Sequence, residues 1–429
     1  MSKFFSRTKV AIALMLGGVG LFSGSAHAQN PQPVRVGFVT FLSGPAAGPF
    51  GVPARLAAEA VVESLNAGKV PAPYTTKGFG GAPIELVVID EAGGTTKQVS
   101  EYRNLVSRQN VDYIIGYISS GDCLAIAPVA EEVKKITILV DCGTPRVFEE
   151  ASYKYVFRTR PHATMDAVAA ALYLTEQFPD IKTYGGINQN YAWGQDSWSD
   201  FELAMKTLKP SATVTTSQMP KFGAGQYGAE ISALMQSNSD VIHSSLWGGD
   251  LEAFMMQAVP RGLFKKSKLV LVAGEPYLHR LGSNMPDGTI VGARGTNGVF
   301  APEGKLKTWL KEIYRTKADH DPNYPAYVTA MAFLGLKTAY EKAKAKVPVS
   351  DDALIAALEH STFESPSGRV VMGLGKGHQA VMGTAYGSTK LVNGQVTVVN
   401  IKQYPAERVT PPEGVSSADW IKGGMKPKQ

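Results

Sequence analysis

The chain has 429 residues, enough for two or three domains around a large core, with 43 basic against 37 acidic side chains and a formal charge of +6. That near-balance argues against a nucleic-acid partner, which would need a basic stripe; the densest basic run, Lys265-Lys266-Ser267-Lys268, reads as a solvated helix-to-strand loop. Two cysteines, Cys123 and Cys142, are too few for a disulfide-dense scaffold, although an even pair in an oxidising compartment is a candidate disulfide.

The chain opens with Lys3, Arg7 and Lys9, an apolar stretch from Val10 to Phe22, and Ala26-His27-Ala28. The apolar stretch is far shorter than the roughly 20 residues a spanning helix needs, and the small residues after it have signal-peptidase spacing. Residues 1–28 are therefore expected to be a cleavable export signal. No cysteine stands at the cleavage point to carry a lipid, so a soluble protein beginning at Gln29 and located in the periplasm is expected, with a charge near +3 once the three basic residues leave.

Short apolar runs then alternate with helix-period segments. Val34–Thr40, Ile84–Asp90, Asp112–Ile118 and Ile136–Val140 read as buried strands, with helices over Pro53–Asn66, Thr96–Gln109 and Ala125–Lys134 between them. The pattern restarts with strands at Lys182–Ile187, Thr213–Thr215, Asp240–Ser245 and Lys268–Ala273, separated by helices at Ser197–Thr207, Gly228–Gln236 and Leu251–Arg261. Alternation of this kind predicts an α/β fold of two doubly wound, Rossmann-like lobes with parallel sheets. Pro325–Lys344 and Asp351–Glu359 read as helices, the second capped by Ser350. Short strands with glycine-rich turns follow from Arg369 to Tyr404, including an Asn393-Gly394 hairpin signal. From Pro405 onward, Pro411-Pro412 and the charges around Trp420 predict an extended surface tail, 405–429.

Motifs for catalysis or cofactors fail on context. Gly223-Ala-Gly-Gln-Tyr-Gly228 has dinucleotide spacing but follows a poor strand. The histidines lack metal-ligand spacing, so no metal and no cofactor is expected. Ser119 and Ser120 lie between a strand and a helix but outside a Gly-x-Ser-x-Gly frame; a secreted serine hydrolase using either one is the rival reading from another class.

In open α/β sheets small molecules bind beyond the carboxyl ends of the strands, where helix N-termini present free amides. Here those ends read Phe41-Leu42-Ser43-Gly44-Pro45, Ser119-Ser120-Gly121-Asp122, Cys142-Gly143-Thr144-Pro145, Asn190-Tyr191-Ala192-Trp193-Gly194, Leu246-Trp247-Gly248-Gly249-Asp250 and Gly274-Glu275-Pro276-Tyr277. They are rich in aromatic rings and small hydroxyls.

The LSGPAAGPFG segment, the GYISSGDCLAIAPVAEEVKKITILVDCGTP block, YVFRTRP, NQNYAWGQDSW and SPSGRVVM, in that order, resemble the substrate-binding proteins of branched-chain amino-acid-type ABC importers, the leucine/isoleucine/valine-binding class. The resemblance spans roughly Val34 to Gln403. It implies a type I periplasmic binding fold with three hinge crossings near Thr159, Arg294 and Thr362. The first lobe would then hold 29–158 with 295–362, and the second 159–294 with 363–404.

The resemblance also implies roles: Ser119, Ser120, Gly143 and Thr144 on a ligand carboxylate, Tyr191 and Trp193 closing over the side chain, and Glu275 receiving an ammonium. Trp247 joins them as a possible stacking surface. The family's second ammonium-binding Asp falls at Ala163 or its neighbours, which leaves room for a carboxylate without an amine, such as an aromatic acid, beside a hydrophobic amino acid. The expected partners are a small molecule and the membrane permease with its ATPase; no enzyme activity and a monomer are expected. A subunit that signals to a receptor instead of a transporter has the same sequence features.

Overall fold

The computed structural model describes residues 31–344 and 348–426; the expected export signal lies outside the described residues. The first apolar runs form β1 (Val34–Thr40), β2 (Ile84–Asp90), β3 (Tyr113–Gly116), β4 (Thr137–Leu139) and β5 (Val156–Arg158), all paired in parallel. Alternation along β1 divides two cores. Val36 and Phe38 face one side with Val61, Leu65, Val328 and Met331, while Val39 faces the other with Tyr102, Leu105 and Ile126. Helices thus cover both faces, as a parallel sheet requires.

The second lobe repeats the plan with β6 (Thr183–Ile187), β7 (Thr213–Gln218), β8 (Val241–Ser244), β9 (Lys268–Leu271) and β10 (Ile290–Gly292). In each lobe the strand order reverses once, between β1 and β3 and between β6 and β8. These are the crevices where ligands of doubly wound sheets sit.

The chain passes from one sheet to the other after β5, again after β10, and a third time; the third passage is expected near Thr362. β11 (Thr362–Ser365), β12 (Gly368–Leu374) and β13 (Gln379–Val381) extend the first sheet, giving the order β11-β12-β13-β5-β4-β3-β1-β2. Residues 363–381 therefore belong to the first lobe, and the chain crosses at Met382-Gly383 instead of near Thr362. Gln379 pairs with Arg158, and His378 stacks on Phe157 at 4.1 Å, so β13 is held at the edge left open by β5. β14 (Thr384–Val392) and β15 (Gln395–Tyr404) then complete the second sheet through the Asn393-Gly394 turn, whose φ values of 50° and 77° suit a tight hairpin.

The tail also departs from expectation. Instead of lying extended, it forms short helices at Ala406–Val409 and Ser417–Lys422, the latter capped by Ser416, whose hydroxyl accepts from Asp419 N at 3.2 Å. Val409, Trp420 and Ile421 are buried in the second lobe's core with Trp198, Phe201 and Met205. Glu407, Arg408, Glu413, Asp419 and Lys422 face solvent, and the three apolar residues face the core.

Cys123, on the first turn of the Ser120–Glu132 helix, and Cys142, just after β4, are paired as a disulfide with Cα atoms 6.4 Å apart. The bond ties together the two loops that follow β3 and β4. A closed loop of this length (sequence separation 19) stabilises a fold by about 3 kcal/mol. Titration of the unfolded, unreduced protein is expected to find no reactive thiol, and reduction to lower the melting temperature; two thiols per chain would show that no bridge forms.

Candidate functional site

The loops at the carboxyl ends of β3 and β4 form the first wall of the cleft. Ser119 caps the Ser120–Glu132 helix, its hydroxyl accepting from Asp122 N at 3.4 Å. Ser120 Oγ accepts from Gly143 N at 3.0 Å and Thr144 N at 3.2 Å, so one hydroxyl joins both loops. Buried Glu91, just after β2, accepts from Ile118 N and Ser119 N at 2.8 Å each. Burial, with Asp122 beside it, pushes the Glu91 carboxyl well up despite those bonds. The amides of Ile118, Ser119, Gly143 and Thr144 therefore already have acceptors from this chain.

The second wall comes from the loops after β6 and β8. Trp193 is anchored through its Nε1, which donates to Ser245 O at 2.8 Å, and Trp247 Nε1 donates to Tyr191 OH at 2.8 Å. Trp247 also reaches the first lobe, its ring 5.0 Å from Phe50 and 5.8 Å from Phe41 by centroid, and it packs on Phe222 at 5.2 Å. Tyr191 faces the first wall, for a Cβ built on Gly121 would stand 3.9 Å from its Cδ2. Across the cleft, Thr144 Oγ1 donates to Asp196 Oδ2 at 2.6 Å and Gly249 N to Pro45 O at 2.8 Å.

Between the walls lies Arg294, a residue the sequence marked only as a crossing point. Its guanidinium lies 4.0 Å over the ring of Trp193, and Nη1 donates to Asp141 Oδ1 and Tyr324 OH, each at 2.9 Å. Nη2 has no hydrogen-bond partner in the chain, and Nε has only Asp166 at 3.6 Å. Burial works against the charge, but Asp141, Tyr324 and Asp166 outweigh it and hold the guanidinium ionised. Gly143 is required here by close approach, since any Cβ at that position would run into Trp193 and Arg294 Nη2. Arg294 and Tyr117 both have positive φ, 50° and 68°, without being glycine. Such backbone persists where surrounding contacts over-determine it.

Seven of the eight residues singled out from sequence thus converge: Ser119, Ser120, Gly143, Thr144, Tyr191, Trp193 and Trp247. Glu275 stands apart. Its Oε2 accepts from Tyr324 N at 2.8 Å, and it lines a separate cavity of about 630 Å³ with Leu278, His279, Val299, His320 and Asn323. Burial raises its carboxyl to about 7, partly offset by the amides of Tyr324 and Val299. Ala163 donates its amide to Gly143 O at 2.7 Å. Sequence reading missed Glu91, Asp141, Asp196 and Arg294. Asp141 and Arg294 carried one usable signal, a charge at the end of an apolar strand. No group of three or more His, Cys, Asp or Glu side chains arranged to hold a metal occurs among the described residues, and no described helix is long and apolar enough to cross a membrane.

Residues 33–393 match the periplasmic binding protein family. No curated protein matches the chain. Among solved structures, a solute-binding protein of an R. palustris ABC transporter in complex with benzoate superposes with a TM-score of 0.74 at 18% identity, over 86% of this chain and 96% of its own. A leucine-binding protein from Thermotoga maritima gives 0.73 at 17% identity over 86% and 98%. A leucine-, isoleucine-, valine-, threonine- and alanine-binding protein from Brucella ovis, in its closed conformation, gives 0.73 at 19% over 89% and 98%. With a type I two-lobe fold and a match that runs from the first strand into the last hairpin, the chain belongs to the periplasmic binding protein family.

Proposed function

We propose that this chain is the periplasmic solute receptor of an ABC importer, that it captures a small aromatic carboxylate between its lobes, and that it delivers it to a membrane permease with its ATPase. The observation that carries the ligand class is Arg294, a buried, charged guanidinium stacked on Trp193 with a nitrogen free of partners. Arginine suits a carboxylate because its planar donors match two oxygens. Tyr191, Trp193 and Trp247 supply aromatic faces for a ring, whose stacking adds about 0.5–1.5 kcal/mol to area burial.

A hydrophobic α-amino acid, the other class the resemblance allows, fits less well. Glu275 already accepts from a backbone amide and lines a cavity separate from the cleft. The binding reading is also favoured over a serine hydrolase, because Ser120 Oγ is engaged by two amides and neither Ser119 nor Ser120 is hydrogen-bonded to a histidine among the described residues.

Thermal-shift and calorimetric titration of the mature chain with benzoate, 4-hydroxybenzoate and leucine test this. An aromatic acid at a hundredfold excess over its dissociation constant is expected to add about 2.7 kcal/mol of stability, and leucine little. Arg294→Lys, which keeps the charge but loses the planar fork, should weaken the aromatic acid roughly ten- to a hundredfold, the worth of a charge-assisted hydrogen bond. Tight leucine binding with no response to any aromatic acid would overturn the ligand class.

Glu275 provides a second check through pH. Its folded pKa lies above the unfolded value, so the native state holds more protons between pH 4.5 and about 7, and stability falls as pH rises through that window. Glu275→Gln keeps an acceptor for Tyr324 N without the charge. The variant should melt higher than the parent at pH 8, and the gap should close near pH 5. A gap that stays constant with pH would mean that Glu275 does not carry this proton.

A further inference from the structure

After β15 the chain does not simply end on the second lobe. Its anchor is there: Trp420 and Ile421 are buried beside the Ala192–Leu208 helix, Thr207 Oγ1 donates to Ile421 O at 3.2 Å, and Arg408 pairs with Glu176 at 3.2 Å. Between these attachments the segment reaches the first lobe. Lys376 N, in the turn between β12 and β13, donates to Glu413 Oε1 at 2.9 Å. Ser417, only 2% exposed, donates from its hydroxyl to Glu149 Oε1 at 2.5 Å and from its amide to the same oxygen at 3.0 Å. Glu149 closes the short Arg146–Glu149 helix just beyond the Gly143-Thr144 loop. On its other side the Ser417 hydroxyl accepts from Thr164 Oγ1, of the second lobe's first helix, at 2.6 Å. One hydroxyl therefore links side chains of both lobes. Beneath the segment is a cavity of about 360 Å³ walled by Phe148 and Arg158 of the first lobe, His162 of the first crossing, and Pro411–Ser416. The segment spans this space like a bridge and does not pack flat on either lobe.

We propose that residues 405–426 are a fourth tether between the lobes, anchored on the second by Trp420 and latched to the first by Ser417 and Glu413, which limits how far the cleft opens. The three crossings are covalent and can only bend. The latch is a set of hydrogen bonds to the Glu149 carboxylate at the protein surface and to a backbone amide, so it can be released without disturbing the core. Its place beyond the Gly143-Thr144 loop gives it a lever on the wall that faces Trp193 and Arg294.

The test uses the mature chain with spin labels at Lys69→Cys in the first lobe and Lys221→Cys in the second, both exposed, and the interlobe distance distribution measured by pulsed electron resonance. Ser417→Ala combined with Glu413→Ala should lower the closed-to-open ratio roughly tenfold, about one decade for a lost charge-assisted hydrogen bond, and so shift the distribution to longer distances. The circular dichroism should be unchanged because Trp420 keeps its anchor. Should the double variant misfold, Glu413→Ala alone, at an exposed position, carries the same test with a smaller shift. Distributions that superimpose on the parent would overturn the proposal.

Discussion

Everything about the cleft depends on a buried cluster of charges at its base. Arg160 stands 3.6 Å from Asp141 and 3.3 Å from Asp166, Arg294 stands 2.9 Å from Asp141, and Tyr324 OH donates to Asp141 Oδ2 at 2.5 Å. These groups come from the end of β4, from two of the three crossings, and from the first turns of the Ala163–Gln177 and Tyr324–Lys342 helices. Isolated charges so deep would cost several kcal/mol each in lost solvation, so the chain can bury them only together. Breaking such a pair typically costs 3–5 kcal/mol because the survivor is left uncompensated. The cluster therefore makes the base of the cleft a fixed pivot, whereas the rims meet through a few hydrogen bonds such as Thr144 to Asp196.

That pivot also decides where positive potential is offered. A helix N-terminus is a ready anion site through its free amides, and the Ser120–Glu132 helix has one at the cleft. Glu91 and Ser120 consume the nearby loop amides, however, and an amide with an internal acceptor has little left for a ligand. The guanidinium of Arg294, stacked on Trp193 and supplied with room by Gly143, adds a side-chain charge beside the first-turn amides of that helix.

The lobes were legible because buried parallel strands must be short, apolar and separated by helices, and Val34–Thr40 or Lys182–Ile187 admit no other reading. The β11–β13 region was not, since an antiparallel strand of alternating pattern does not say which sheet edge it will join. That choice rests on the contacts of Gln379 with Arg158 and of His378 with Phe157, pairings over 200 residues apart. Trp420 misled for a related reason: an aromatic amid prolines and charges reads as exposed unless the helix that receives it is known. At the site, loop residues that follow strands could be found from position alone. Arg294 and Asp141 could not be weighed, because a charge at a strand end is usually solvated, and only packing reveals that each serves as the other's counter-ion.

Specificity follows from how the two kinds of contact differ. The rings of Trp247, Phe41 and Phe50 meet across the lobes, and apolar contact of this sort favours closure over any ligand of suitable size. It cannot discriminate strongly, since a methylene in an apolar pocket changes binding by only about 1–3 kcal/mol. Discrimination therefore rests with the few polar groups whose bonding is incomplete, and a ligand shifts the equilibrium toward closure only by what it gains in that state alone. Arg294 is such a group: buried between the walls, it would, under the proposed function, contribute fully to an anion that both lobes enclose and much less to one that touches a single lobe in water, where the dielectric weakens the same charge. Under the proposed function, recognition and closure would be coupled through one guanidinium.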